Sequence, residues 1–351
     1  MYIIGTVGPM VKDKNAFKGI IDNGVNALRF NFAHGSELEF MGFLNMARNI
    51  DNSLKIIVDL SGSKIRVSNK FEYIYKVYDD DYVYFCGEDK YTNVMKNMPK
   101  NKIKLIPLNI KHKMLKENIY NEITIKDNTM IFRVVENNND DVIKTKVVKG
   151  GIIRKGKGCN IKELDRSLLS LSYNDKKAIR WGIKNKVNII CQSFVEDKYD
   201  IDELKVFLKE NNTIDNEYPR IWAKIETLNG INNLESIIEC VDGIVIGRGD
   251  LIPETSLEDT PIYEDKIIQT VTKYESKDVI IATHLFNTMK SGKLPSLCEV
   301  ESIYNFIKEG VTGFLLAGET SVGKAPIKTV KFLNELVCRY MSNNNVNVKN
   351  I

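Results

Sequence analysis

Eight short apolar runs, most of them followed by a stretch with helical spacing, limit what this chain can fold into more than any other feature. They are Tyr2–Val7, Val25–Phe30, Leu54–Val58, Val187–Cys191, Arg220–Ile225, Gly243–Gly247, Asp278–Ala282 and Gly313–Leu316. Each is short enough for a buried strand. Ala16, Ile20 and Ile21 mark a first helix, and Phe40, Phe43, Leu44 and Ala47 a second; others cover Ile201–Asn211, Glu264–Tyr274 and Leu297–Glu309. Eight strands with intervening helices make a closed parallel (β/α)8 TIM barrel, whose active site lies at the C-terminal strand ends. Those ends carry Arg29 and Asn31, Asp59, Ser193, Lys224 and Glu226, Asp250, Thr283, and Gly318-Glu319-Thr320.

One connection does not fit a plain barrel. More than a hundred residues separate the third run from the fourth, far beyond a normal strand-to-helix loop. The stretch alternates apolar and polar residues, as in Tyr82-Val83-Tyr84-Phe85, Met130–Val135 and Ile143–Val148. That period belongs to β-structure. The expected organisation is a catalytic barrel formed by 1–67 and 158–351, with an inserted small β-barrel lid domain over 68–157. A lid at the catalytic rim would exclude water from the site.

The rim residues suggest chemistry. Glu226 and Asp250 stand at the ends of neighbouring runs, with Lys224 beside the first. Two carboxylates suit a hard divalent cation such as Mg2+ (or Mn2+), which takes few protein carboxylates plus substrate oxygens. Both are expected to be solvent-accessible in a preformed cleft. His112 is expected to be exposed. Taken singly, a Lys-x-Glu at a strand end is as often a surface pair, and Arg-Gly-Asp is more often a turn than a ligand set.

The bulk properties narrow the class. A chain of 351 residues that is 43% hydrophobic can bury one large core plus an insertion. Its net charge of +4 comes without a basic block, which argues against nucleic acid. Six scattered cysteines without C-x-x-C spacing read as reduced thiols. With no basic leader and no 18-residue apolar run, a cytoplasmic protein with no membrane contact is expected.

The ordered motifs resemble those of the pyruvate kinase family. They are Gly5-Thr6-Val7-Gly8-Pro9, Leu28-Arg29-Phe30-Asn31-Phe32-Ala33-His34-Gly35, Asp59-Leu60-Ser61-Gly62-Ser63-Lys64-Ile65-Arg66, Gly150-Gly151 with Lys157-Gly158-Cys159-Asn160, Ser193-Phe194-Val195, Lys224-Ile225-Glu226, Arg248-Gly249-Asp250, Ala282-Thr283 and Gly318-Glu319-Thr320. The resemblance implies phosphoryl transfer between phosphoenolpyruvate and ADP, giving pyruvate and ATP. It implies Mg2+ on Glu226 and Asp250, and charge neutralisation by Lys224. Arg29 and Arg66 would hold the phosphoryl group, with Ser193 and the Gly249-Asp250 backbone at the substrate. Thr283 would lie on the proton path to the enolpyruvate carbon. Pro9, Asn31, His34 and Lys157 match nucleotide-binding positions. The family's C-terminal effector domain would start near residue 340, so its absence is expected here.

Departures from the family pattern are specific. Ala33 and Leu60 stand where hydroxyls help hold a monovalent cation near Asn31 and Asp59. Lys64 stands where potassium-dependent members carry glutamate, so its ammonium would substitute and K+ would not be required. Ala317 replaces a serine implicated in protonation, and Glu39 and Val322 replace residues that touch nucleotide. The segment Pro295–Glu299 lacks an arginine of the barrel–barrel interface, so a homodimer is expected, with a monomer the next alternative. Three classes stay open: a minimal pyruvate kinase, a specialised paralogue with another acceptor or nucleotide, and a non-catalytic binding relic.

Overall fold

In a computed structural model, residues 1–97, 103–126, 128–137, 141–162, 164–166, 169, 171–211 and 218–347 are described. Eight parallel strands close into a TIM barrel: β1 (Tyr2–Thr6), β2 (Ala27–Asn31), β3 (Lys55–Asp59), β4 (Ile189–Gln192), β5 (Arg220–Ile225), β6 (Gly243–Gly247), β7 (Asp278–Ala282) and β8 (Gly313–Leu316). Each pairs with its neighbours in chain order, and β8 closes on β1 with Tyr2 opposite Gly313. The observed strands keep the eight expected positions: β5 to β8 coincide with their runs, and β1 to β4 have ends moved by one or two residues.

Alternation along each strand makes two apolar layers. Ile244 and Ile246 of β6 face the helices, while Val245 faces the barrel interior. The interior is filled by Ile4, Ala27, Ile57, Ile189, Cys191, Trp222, Val245, Ile280, Ala282 and Leu315. Trp222 is fully buried, and Tyr2 meets its ring edge-on at 5.3 Å. A side chain this large fills the bore, so the barrel is a packed core, not a pore.

The helices begin where the sequence provides caps. The Ser36 side chain accepts from Glu39 N at the start of Glu37–Ile50. Ser172 and Asp175 form a reciprocal capping box on Tyr173–Lys184, as Ser296 and Glu299 do on Leu297–Lys308.

The chain divides into two compact units. The first contains Met1–Gly62, Ser170–Leu251 and Glu258–Ile351 and carries the barrel. The second contains Ser63–Leu169 with Ile252–Leu257. It holds a six-stranded sheet, antiparallel except for the parallel pairing of Tyr82–Gly87 with Leu105–Leu108, and a two-stranded sheet of Tyr75–Val77 with Gly151–Ile153. Its own core includes Phe71, Phe85, Leu105, Ile123, Phe132 and Ile143. The expectation for His112 is corrected here. It is 2% exposed, and its Nδ1 accepts from Gly87 N at 3.3 Å. Met114 and Leu115 of the short helix His112–Glu117 bury beside it.

Candidate active site

The alternation that builds the interior also builds the site. Continuing the inward face of β1 to β5 past the apolar layer reaches Thr6 after Ile4, Arg29 after Ala27, Asp59 after Ile57, Ser193 after Cys191 and Lys224 after Trp222. These five side chains form one polar layer at the C-terminal end of the barrel. Arg29 Nε donates to Asp59 Oδ2 at 2.5 Å, and Arg29 Nη1 to the Thr6 hydroxyl at 3.2 Å. Lys224 Nζ lies 3.0 Å from Ser193 Oγ, 3.0 Å from Glu226 Oε1 and 3.9 Å from Asp59 Oδ2. Ser193 Oγ also bonds Leu60 O at 2.8 Å and lies 3.2 Å from Asp59 Oδ1. Thr6 is the member that motif comparison had given no role; the i, i+2 step from Ile4 was its signal.

The layer is buried and ionised. Asp59 is 1% exposed and Arg29 9%. Burial pushes the Asp59 carboxyl up, but the nearby Arg29 and Lys224 charges outweigh it and hold it below the usual carboxylate range. Burial likewise pulls the Lys224 ammonium down, yet Asp59 and Glu226 more than offset this and raise it. Both groups are therefore charged at neutral pH. Such a cluster is held together by mutual pairing, since either charge alone would be costly to desolvate.

Glu226 and Asp250 differ in setting. Glu226 is 2% exposed, which corrects the expectation of a solvent-accessible carboxylate. Its Oε2 accepts from Phe194 N at 3.0 Å, and Phe194 holds a left-handed φ of 56°. A methyl group at Gly247 would come within 2.5 Å of Glu226 Oε1, so glycine at the end of β6 makes room for the carboxylate. Asp250 is half-buried in the first turn of the helix Arg248–Glu254. Among the described residues no group of three or more His, Cys, Asp or Glu side chains could hold a metal. The donor set nevertheless fits Mg2+ as the minority ligands of a cation completed by substrate oxygens. Arg29 and Lys224 carry two positive charges against three carboxylates in Asp59, Glu226 and Asp250. One divalent cation would turn that negative balance positive, as an anionic substrate requires.

Thr283 closes the rim after β7. It and His284 have φ of 68° and 53°, left-handed backbone in consecutive non-glycine residues. Such residues cost about 1–3 kcal/mol each and persist where neighbours hold them. The Thr283 hydroxyl donates to Ala282 O at 2.5 Å and accepts from Gly249 N at 2.8 Å. The Gly249 N–H that the resemblance gave to a substrate carboxylate therefore has an internal partner. Gly318-Glu319-Thr320 is structural: Glu319 is 2% exposed and accepts from Phe286 N and Ala317 N, and Thr320 Oγ1 accepts from Thr6 N at 2.9 Å.

Three of the nucleotide candidates, Pro9, Asn31 and His34, lie in the barrel unit. Pro9 opens a single 3-10 turn and is exposed, as is His34. Asn31 Oδ1 accepts from Ala33 N at 3.1 Å, fixing the turn after β2. Leu60, at the cation-ligand position, is 1% exposed and apolar. Lys64, Arg66 and Lys157 belong to the second unit, where Arg66 Nη1 donates to Gly156 O at 3.2 Å.

Comparison with known proteins agrees with this geometry. The pyruvate kinase barrel-domain model matches residues 1–330. The chain is similar to the pyruvate kinase of Thermotoga maritima, at 32% identity over 339 residues, covering 95% of this chain and 69% of the relative. It is similar to that of Thermococcus litoralis at 30% over 338 residues, covering 95% and 68%. Pyruvate kinase 1 of Saccharomyces cerevisiae is 28% identical over 339 residues, covering 95% and 66%. The chain thus spans about two thirds of the length of these relatives. Among the described residues no helix is long and apolar enough to cross a membrane. The match to the barrel model over 1–330, on a closed eight-stranded barrel with an inserted β unit, places this chain in the pyruvate kinase family.

Proposed function

We propose that the protein transfers a phosphoryl group between phosphoenolpyruvate and ADP, with Mg2+. The observation that carries this is the Lys224 ammonium, wedged between Glu226, Asp59 and Ser193 at 3.0–3.9 Å. Phosphoryl transfer needs charge neutralisation and in-line placement more than covalent chemistry. The bond from phosphorus to the enol oxygen breaks, and one to an ADP phosphate oxygen forms. Lys224 faces the enolate oxygen and neutralises its developing charge. Arg29, held by Asp59 and Thr6, directs its remaining edge to the phosphoryl oxygens. Glu226 and Asp250 would hold the metal, which would supply positive charge against the anionic substrates. Thr283 lies on the path by which the enolate carbon takes up a proton. Ser193 fixes Lys224, and the Gly249-Asp250 turn borders the substrate carboxylate.

Pro9, Asn31 and His34 meet the nucleotide in this proposal. Arg66 and Lys157, on the inserted unit acting as a lid, meet the phosphates. Lys64 serves in place of K+, because Ala33 and Leu60 offer a cation no side-chain hydroxyl. A second reading, a paralogue with another acceptor or nucleotide, is favoured by Val322, whose 56% exposed side chain offers no charge where relatives of the family pattern carry lysine. A homodimer is proposed over a monomer.

The test is pyruvate formation from phosphoenolpyruvate, ADP and Mg2+, with and without K+, over a panel of nucleoside diphosphates. K+-independent turnover with ADP supports the proposal. Turnover with another diphosphate alone favours the second reading, and no turnover with any, despite phosphoenolpyruvate binding, identifies a binding relic.

A further inference from the structure

Arg248 has no place in the chemistry above, yet its guanidinium is engaged on one edge and one face. Nε and Nη2 both donate to the carbonyl of Thr283, at 3.0 and 2.6 Å. The guanidinium lies over the Phe306 ring, 5.4 Å from its centroid, and Nε is 3.8 Å from Glu264 Oε1. Glu264 is 8% exposed on the helix Thr260–Val271, and Phe306 is 8% exposed on Leu297–Lys308. Two helices behind the barrel therefore fix the arginine, and the arginine fixes one backbone oxygen at the rim.

That oxygen belongs to the strained pair Thr283-His284. The next residue along from Arg248 completes the grip, because Gly249 N donates to the Thr283 hydroxyl at 2.8 Å. Two consecutive residues at the end of β6 thus hold the carbonyl and the side chain of one residue at the end of β7. A charged, two-pronged hydrogen bond is strong and directional, and planar guanidinium geometry is not reproduced by an ammonium. A purely structural arginine would need no left-handed partner. Here the contact is to the peptide unit whose conformation an L residue rarely adopts.

We propose that Arg248 is a positioning residue: through the Thr283 carbonyl it holds the Thr283-His284 turn in the left-handed form that presents the Thr283 hydroxyl at the rim, with Glu264 and Phe306 as its anchor. This rests on the proposed phosphoenolpyruvate chemistry for its effect on turnover, but its structural part stands apart from that. Arg248 acts on proton uptake by the enolate carbon and leaves the metal and phosphoryl contacts in place.

The test compares Arg248→Met, Arg248→Lys, Thr283→Ala and the double variant Arg248→Met/Thr283→Ala. Arg248→Met should lower kcat for pyruvate formation at least tenfold with KM for phosphoenolpyruvate within twofold. The double variant should be no slower than the slower single variant, because both remove the same oriented hydroxyl. Arg248→Lys, able to make one of the two bonds, should recover part of the loss. Hydrogen exchange of residues 283–287 should speed up at least tenfold in Arg248→Met while that of β7 stays unchanged. Multiplicative losses in the double variant, or unchanged exchange at 283–287, would overturn the inference. Should Arg248→Met fail to fold, Glu264→Gln takes its place, with a several-fold fall in kcat at constant KM and the same local exchange change expected. If the unmodified protein turns over no phosphoenolpyruvate, the functional proposal has failed, and the exchange comparison alone decides whether Arg248 holds the turn.

Discussion

Asp59→Asn tests whether the polar layer is a paired ionic cluster. Asp59 is buried, with Arg29 at 2.5 Å and Lys224 at 3.9 Å. Removing one partner of a buried pair costs about 3–5 kcal/mol, because the other charge is left uncompensated. Lys224 would keep Glu226 at 3.0 Å, so the stranded charge is that of Arg29, which retains the Thr6 hydroxyl. The lower end, about 3 kcal/mol, is therefore expected. Both tryptophans, Trp181 and Trp222, lie in the barrel unit. Urea unfolding followed by tryptophan emission thus reports that unit, and a midpoint fall of roughly 1 M is expected. The pH dependence has a definite sign. The folded carboxyl is depressed, so its contribution is present above the unfolded value of about 3.9 and is lost as pH falls through the folded value. The gap between wild type and variant should hold from pH 8 to about 5 and narrow only below about 4. A gap under about 1 kcal/mol at pH 7, or one that widens with acid, would refute an ionised, depressed Asp59.

Other consequences follow from the same geometry. Asp250→Asn should weaken Mn2+ binding at least tenfold, measured by titration, with little loss of stability, whereas buried Glu226→Gln should weaken the metal and also lower the urea midpoint, since it removes the negative partner of Lys224 and leaves one acceptor oxygen where Lys224 and Phe194 N used two. Gly62→Ala should be poorly folded by the same fluorescence assay, because φ is 61° and the added methyl would sit 2.0 Å from Ser193 O. With an aromatic disulfide reagent, exposed Cys298 and Cys338 should react in the native protein, while Cys86, Cys159 and Cys191 react only on unfolding; burial also pushes the Cys86 thiol up to about 12.

Most of the barrel was legible because strand position depends on local pattern. Gly243–Gly247 and Asp278–Ala282 are continuous apolar runs, and a strand buried on both faces needs nothing else. The inserted unit was legible only in part. Met130–Glu136 and Ile143–Lys149 bury alternate residues over their first halves, and both were expected as strands. Glu122–Ile125 and Gly151–Ile153 are too short to show a period, and the second pairs with Tyr75–Val77, far away in sequence. Before the strand Tyr75–Val77, Tyr73 and Tyr75 stack at 5.8 Å beside Phe71, so the spacing of these rings reflects their packing.

The site was legible in its residue types and less so in how they are engaged. A motif supplies Lys224, Glu226, Asp59 and Arg29, but burial is a property of what surrounds them in space. Glu226 looked like an open ligand because it ends an apolar run. It is covered because Phe194, in a left-handed turn after β4, aims its N–H at it. Arg248 shows the same limit more sharply. In the sequence it is the first letter of a three-residue rim motif, with nothing to mark its side chain as packing against Glu264 and Phe306. Its partners, Glu264, Thr283 and Phe306, lie on three later elements, and only the closed barrel brings them together. If Arg248 positions Thr283 as proposed, a chain keeping every rim residue would still lose turnover through a change behind the rim. Comparing motifs alone would miss that loss. The distances from Arg248 to the Thr283 carbonyl are where it would first appear.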